Sequence, residues 1–211
     1  MFEERYAEQD LWNFSLQFVT PTVRRSLPDP VSAVSLDISC ADGPRVQAAA
    51  RLFRQSIGVD VAEMIDLADA RKSHSPNSEY RVRETGKLPV ETGTIDYAYT
   101  LRGLTFLKDL SKFDAEIAEV ARGLKPGGIA MLWFGRITRL PFVVKPSHWI
   151  KGYSYDPGDY IPLKVRQTRV RKALRKAGLK HVALSTPFHP DTSWRLFRGG
   201  ELSYVTALKP G

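Results

Sequence analysis

The stretch Val34–Asp60, VSLDISCADGPRVQAAARLFRQSIGVD, constrains this chain more than any other. An apolar run ends in Asp37, a tight turn of small residues follows, a helical pattern opens after Gly43, and a second apolar run ends in Asp60. Strand, turn, helix, strand is the opening βαβ unit of a doubly wound sheet. Sheets of this kind take their ligand at the carboxyl ends of the strands, which is where Asp37, the Ser39–Gly43 turn and Asp60 converge. An acid about 20 residues beyond the first turn is the usual grip on ribose hydroxyls, because a carboxylate is an acceptor pair with a fixed direction. A nucleoside-bearing cofactor is therefore expected.

The helix after the turn starts at Pro44, whose φ is preset for a first helical position. Val46, Ala49, Ala50 and Phe53 recur at i, i+3, i+4 and i+7 and predict one apolar stripe against the sheet. The amino end of this helix faces the turn, where its partial positive charge favours a carboxylate. Farther along, Val61–Ala70 reads as a helix, Tyr80–Arg83 alternates as a third strand, and Thr94–Leu101 fits a buried fourth strand with Asp96 at its start. Phe113, Ile117, Val120 and Leu124 mark the inner face of the next helix, which Lys125-Pro126-Gly127-Gly128 stops before a fifth strand at Ile129–Phe134. His181–Thr186 and Leu202–Leu208 read as strands six and seven.

Four segments in this order resemble the class I S-adenosylmethionine-dependent methyltransferases, in particular the type 11-like group. They are DISCADG, IGVDVAEMIDLA, TGKLPVETGTIDYAYTLRGLTFLKDL and EIAEVARGLKPGGIAMLWF, and the resemblance runs from Asp37 to the C-terminus. It implies a three-layer, Rossmann-like α/β fold, a seven-stranded, mostly parallel sheet with a C-terminal antiparallel strand, in one domain covering residues 1–211. It also implies S-adenosylmethionine as cofactor, with Asp37 and the turn to Gly43 holding the methionine portion, Asp60 the ribose and Glu84 the adenine, and with Ile38, Ser39, Ala41, Val61, Thr85 and Thr100 among the cofactor-binding residues. The family turn is D-x-G-x-G-x-G, so Ser39 and Ala41 stand where it has its first two glycines. Glycine suits those places because the backbone approaches the cofactor closely and adopts positive φ. Two readings follow: a working but altered cofactor site, or a member of the fold kept for binding or regulation.

The acceptor side is read from what surrounds that frame. The family often carries a His-His pair after the fourth strand, and Thr105 and Phe106 occupy those positions here, so no general base is expected there. Methyl transfer from a sulfonium can run largely on alignment of the acceptor. Arg102 is a candidate for holding an anionic or polyhydroxylated substrate, against its alternative as a solvated surface cation. Residues 135–160 form an aromatic, proline-bearing segment on the ligand side, expected as a substrate-facing loop or cap. Within it His148 is the general-base candidate, since a neutral histidine accepts a hydroxyl proton near pH 7. Tyr153, Tyr155 and Asp156 are the alternatives for that role, and the two tyrosines are also expected to touch substrate. The link PFHPDTSWRLFRGG offers His189, Trp194 and Arg195 for closing the same site. Residues 1–30, rich in aromatics, are expected as a helical lid or as a helix packed on the sheet, within a chain whose natural N-terminus extends farther or starts here.

Composition decides the remaining classes. No apolar run approaches the ~20 residues of a membrane span, and the amino-terminal FEERYAEQD lacks a signal-peptide core; a cytoplasmic protein is expected. A single cysteine, Cys40, excludes an internal disulfide and a cysteine-rich metal site, and reads as a small buried residue rather than a reactive thiol. No metal is expected. The net charge of +8 resides in one segment: Lys164, Arg166, Arg169, Arg171, Lys172, Arg175, Lys176 and Lys180, with no acid between Tyr160 and Pro190. Val170, Ala173, Leu174 and Ala177 keep a helical stripe beneath these cations, so a solvated outer face is expected, with nucleic-acid binding as the alternative. The functional reading is methyl transfer to an oxygen or nitrogen of a small molecule or glycan. A catalytically inactive binding protein and an RNA methyltransferase are the alternatives.

Overall fold

A computed structural model describes residues 28–70, 75–84, 86–100, 104, 110–134, 136–138, 164–185 and 203–211. After a short 3-10 turn at Pro30–Ser32, the elements are β1 (Val34–Ile38), α1 (Pro44–Ala50), β2 (Gln55–Asp60), α2 (Ala62–Ala70), β3 (Ser78–Val82) and β4 (Ile95–Thr100). They continue with α3 (Leu110–Gly123), β5 (Leu124–Phe134), β6 (Arg136–Thr138), β7 (Lys164–Arg166), α4 (Gln167–Lys176), β8 (Lys180–Ser185) and β9 (Ser203–Leu208). Seven strands form one sheet in the order β3-β2-β1-β4-β5-β9-β8. β1 to β5 run parallel, and β9 is antiparallel to both β5 and β8. The doubly wound sheet and its C-terminal antiparallel strand are thus as the sequence predicts.

Strand order reverses between β1 and β4, and the crevice outside the carboxyl ends at such a switch point is the ligand position of these sheets. Alternation along β1 sorts the two faces. Val34, Leu36 and Ile38 join Phe113, Ile117, Val120, Val170 and Leu174 of α3 and α4 in the larger core. Asp37 lies at the alternate position, and on that face Ala49 and Phe53 pack with Tyr97, Tyr99, Ile129 and Met131. The Phe53 and Tyr97 rings stack with centroids 5.9 Å apart.

Several boundaries differ from the sequence reading for local reasons. α1 ends at Ala50, so Phe53 continues its apolar stripe from the turn beyond it; the Leu52 and Phe53 amides both donate to the Ala49 carbonyl. β5 begins at Leu124, before the glycines, because the Gly127 amide donates to the Lys209 carbonyl and Lys209 returns a bond to Gly128. Arg136–Thr138, expected inside an irregular segment, pairs in parallel with Lys164–Arg166 as a separate two-stranded ladder. Beneath the cations of α4, Val170, Ala173 and Leu174 are buried while Arg171, Lys172, Arg175 and Lys176 are exposed, and Gly178, with φ 77°, ends the turn after the helix. No described helix is long and apolar enough to cross a membrane.

Candidate functional site

The turn between β1 and α1 carries the backbone feature on which the site rests. Ser39 has φ 65°, Ala41 φ 51° and Gly43 φ 86°, so all three positions of the motif lie in the left-handed region. Glycine reaches that region freely, whereas a residue with a Cβ pays of order 1–2 kcal/mol. Something must hold Ser39 and Ala41 there, and the surrounding bonds show what. The Ser39 and Cys40 amides both donate to the Val59 carbonyl, at 2.8 and 3.2 Å. The Arg45 Nη2 donates to the Ser39 carbonyl at 3.2 Å, while its Nε donates to the Asp37 Oδ2 at 3.1 Å. The Ala41 amide donates to the Asp60 Oδ2 at 2.8 Å.

Gly43 keeps its glycine for a reason the others lack. A Cβ there would run into the ring of Tyr80, whose hydroxyl donates to the Gly43 carbonyl at 3.1 Å and accepts from Gln47 Nε2 at 2.8 Å. Gly58 has a similar role one strand over, since its Cβ would lie 2.7 Å from Val46 Cγ2 and 2.9 Å from Cys40 Sγ. This close approach buries Cys40 fully among Val46, Ile65 and Tyr80. Burial, with Asp37 and Asp60 nearby, pushes its thiol well above the ordinary range, so it is the small packed residue of the sequence reading.

Asp37 is completely buried, and burial raises its carboxyl pKa against the opposing pull of Arg45. Among the described residues its Oδ1 has no hydrogen-bond partner. A buried acceptor without a donor costs about 1–3 kcal/mol, so the turn is incomplete on that side. Asp60, half-buried at the end of β2, accepts from the Val61 amide through Oδ1 as well as from Ala41 through Oδ2. It therefore joins the turn to the second strand, a role the sequence reading did not give it. Glu84 lies just past β3, next to Arg83, whose amide donates to the Asp60 carbonyl at 2.8 Å. Its residue is exposed. The two arginines nearest to it in sequence are engaged elsewhere: Arg81 bonds Glu79, and Arg83 bonds Glu116.

Asp37, Asp60 and Glu84 thus stand at the carboxyl ends of three adjacent strands, with Ile38 and Thr100 buried at the ends of β1 and β4 and Val61 half-exposed beside Asp60. Thr85, Arg102, His148, Tyr153, Tyr155 and Asp156 lie outside the described residues, as do Thr105, Phe106, His189, Trp194, Arg195, the expected lid and most of the 135–160 segment.

Four groups that shape the site were not singled out in the sequence. Arg45 is one. The others are on α3: Glu116, buried, accepts from Arg83 Nη2 at 2.7 Å and from the Gly86 amide at 2.9 Å. Glu119 accepts from the Leu88 amide, and Arg122 donates to the carbonyls of Leu88 and Val90. Together they fix the 83–90 loop that carries Glu84. Their spacing, i, i+3 and i+6 along α3, was a usable signal, but in sequence it reads as an ordinary charged helix face. At the amino ends of the strands a separate cleft of ≈ 390 Å³ is lined by Arg54, Gln55, Arg81, Glu91 and Lys125 among others. Arg81 and Lys125 there are already paired with Glu79 and Asp96. Among the described residues no group of three or more His, Cys, Asp or Glu side chains is placed to hold a metal.

Comparison with known proteins agrees with this geometry. Residues 36–132 match the family described as "Methyltransferase domain". A 37.1 kDa uncharacterized protein of transposon TN4556 from Streptomyces fradiae is 34% identical over 98 residues, covering 44% of this chain and 28% of that protein. The sterol 24-C-methyltransferase erg6 of Schizosaccharomyces pombe is 28% identical over 110 residues, covering 51% of this chain and 28% of the yeast protein. The chain therefore aligns with little more than a quarter of the length of either relative. An S-adenosylmethionine-dependent methyltransferase structure from Clostridium acetobutylicum superposes with a TM-score of 0.72 at 12% identity, over 100% of this chain and 95% of that one.

Proposed function

The chain carries the methyltransferase domain over residues 36–132, on the fold of the class I S-adenosylmethionine-dependent methyltransferases, and on that premise we propose that it methylates an acceptor from S-adenosylmethionine. The observation that carries the proposal is the left-handed path of Ser39, Ala41 and Gly43 beside three acids at successive strand ends. Two residues with a Cβ held at φ 65° and 51° are backbone strain of the kind that concentrates at ligand sites. The donor set also fits the group: the unpartnered Asp37 Oδ1 beside the turn suits an ammonium donor.

When bound, S-adenosylmethionine supplies a methyl group made electrophilic by its sulfonium sulfur. The chain's own residues divide the remaining work. Asp37 and the Ser39–Gly43 backbone hold the amino-acid end, with Ile38 forming the floor. Asp60 takes the ribose hydroxyls on oxygens that already orient the turn, flanked by Val61. Glu84 lines the adenine side, where the α3 bonds to the loop keep it in register, and Thr85 and Thr100 complete the cofactor-binding set. Arg102, which follows β4, and Tyr153 and Tyr155 of the 135–160 segment bind the acceptor, and His148 takes its proton where the nucleophile is a hydroxyl. Alignment and exclusion of water supply most of the acceleration. The acceptor atom is an oxygen or nitrogen of a small molecule or glycan; the name of the sterol 24-C-methyltransferase relative adds carbon to the chemistries to be screened.

Calorimetric titration with S-adenosylmethionine and its demethylated product tests this reading. Micromolar binding that Asp60→Asn weakens supports it, and no binding at millimolar ligand overturns it. A second reading, a binding or regulatory protein on the same fold, is favoured by one observation: both Asp60 oxygens already accept backbone amides. Under that reading titration shows no heat. The exposed cations of α4 are the observation behind a further alternative, an RNA methyltransferase. Retention on RNA that falls steeply with salt would support that choice.

A further inference from the structure

Three groups of side chains meet the left-handed turn, and they do not act on the same residue. Asp60 touches Ala41 only, through its amide. Tyr80 touches Gly43 through its carbonyl. Arg45 touches Ser39 through its carbonyl and, with its other donor, the Asp37 carboxylate two residues earlier. The Ser39 amide is meanwhile held by the Val59 carbonyl. The peptide before Ser39 is thus held through its amide by the Val59 carbonyl, and the peptide after it is held twice, by the Cys40 amide on that same carbonyl and by Arg45 on the Ser39 carbonyl. These restraints together hold the positive φ of Ser39, and Arg45 supplies the one that comes from a side chain.

We propose that Arg45 is a positioning residue of the cofactor turn, a guanidinium clamp that holds Ser39 in the conformation glycine adopts without help. The proposal rests on the S-adenosylmethionine reading for its functional consequence, but not for its structural one. A guanidinium suits the task because its planar fork fixes the angle between two acceptors, here a carboxylate and a carbonyl. The Arg45 side chain is 24% exposed and Asp37 is 0% exposed, so the pair is largely out of water and its bonds are weakly screened. The clamp originates on α1, whose first turn is set by Pro44, so its base does not move with the turn it holds. Thus one substitution in the motif, glycine to serine at 39, is matched by one side chain that removes its freedom to relax.

This makes a selective prediction. If Arg45 serves Ser39, replacing Ser39 by glycine makes the clamp dispensable, whereas replacing Ala41 by glycine does not, because Ala41 is held by Asp60. Arg45→Met is expected to weaken S-adenosylmethionine binding about tenfold, and in the Ser39→Gly background no more than about threefold. In the Ala41→Gly background the full tenfold loss remains. The loss of a partner for buried Asp37 is common to all three backgrounds and cancels in the comparison.

The same cycle is read in the ligand-free protein by denaturant unfolding, where Ser39→Gly should recover stability lost in Arg45→Met and Ala41→Gly should not. Equal effects of Arg45→Met in all backgrounds, by both measurements, would overturn the clamp. If wild-type protein binds no S-adenosylmethionine, the cofactor reading fails while the unfolding cycle still decides the role of Arg45. Should Arg45→Met not fold, Arg45→Lys replaces it in both cycles, since a lysine keeps the charge beside Asp37 without the two-acceptor fork.

Discussion

Two turns at opposite poles of the sheet handle the same problem differently. The turn before the main run of β5, Lys125–Gly128, puts glycine where glycine is required. Gly127 has φ 80° with open space around its Cβ position, and a Cβ on Gly128 would lie 2.9 Å from the Lys125 carbonyl and 3.0 Å from that of Ile95. Its acid, Asp96, is satisfied on both oxygens, by the Val34 amide and the Lys125 ammonium. The turn after β1 puts serine and alanine in the left-handed region and leaves a buried Asp37 oxygen without a donor. The first turn resolves its local costs within the chain. The second keeps strain and an unmet acceptor, and such features persist where the surroundings over-determine them for a task. That contrast separates scaffold from site without reference to any relative.

The largest expected effect breaks the site turn. Asp60→Ala removes the acceptor of the Ala41 amide together with the proposed ribose grip, and cofactor affinity should fall by about 100-fold or more, roughly 2.7 kcal/mol, as read by calorimetry. Next in size is a change to the scaffold turn. Gly128→Ala forces a Cβ against backbone carbonyls and should destabilise by about 2 kcal/mol, seen as a lower denaturant midpoint, while the protein that remains folded binds cofactor as before. If Gly128→Ala instead impaired binding by the folded protein, the division between the turns would fail.

Ala41→Gly sharpens the comparison from the other side. Removing a Cβ from a residue at φ 51° should stabilise the fold by about 1 kcal/mol, where glycine substitutions at ordinary φ destabilise. The smallest effect concerns the 83–90 loop. The Arg122 guanidinium, aided by the Leu88 amide, holds the Glu119 carboxyl below its ordinary value of 4.5. A depressed folded-state pKa contributes stability that is complete above the unfolded value and lost as pH falls through the folded one. Glu119→Gln should therefore shave a few tenths of a kcal/mol at neutral pH, in keeping with a partly exposed pair, and flatten the acid limb of stability below about pH 4.5. Unchanged acid sensitivity in Glu119→Gln would count against that anchoring.

Most of the fold was legible because it rests on periodicity. The β1–α1–β2 unit, the α3 face of Phe113, Ile117 and Val120, and the α4 stripe of Val170, Ala173 and Leu174 all bury the residues their spacing predicts. Asp37 and Asp60 were legible as strand-end acids. Their partners were not. Arg45 reads in sequence as one cation of a short helix, and Glu116 as one of several charges on α3. The start of β5 at Leu124, which pairs with Ile95 of β4, and the β6–β7 ladder were equally hidden, since both are set by distant backbone partners.

By itself the sequence determined the order of the strands, the faces they bury and the pole where the acids gather, because side-chain period and strand-end position are properties of neighbours along the chain. Only the tertiary structure decided that Ser39 and Ala41 occupy the glycine conformation, that Arg45 and Asp60 each hold one of them, and that α3 fixes the loop bearing Glu84. Those outcomes depend on hydrogen bonds between groups from six to about thirty residues apart. Such bonds leave no periodic mark in sequence, and they help to keep a residue with a Cβ at positive φ.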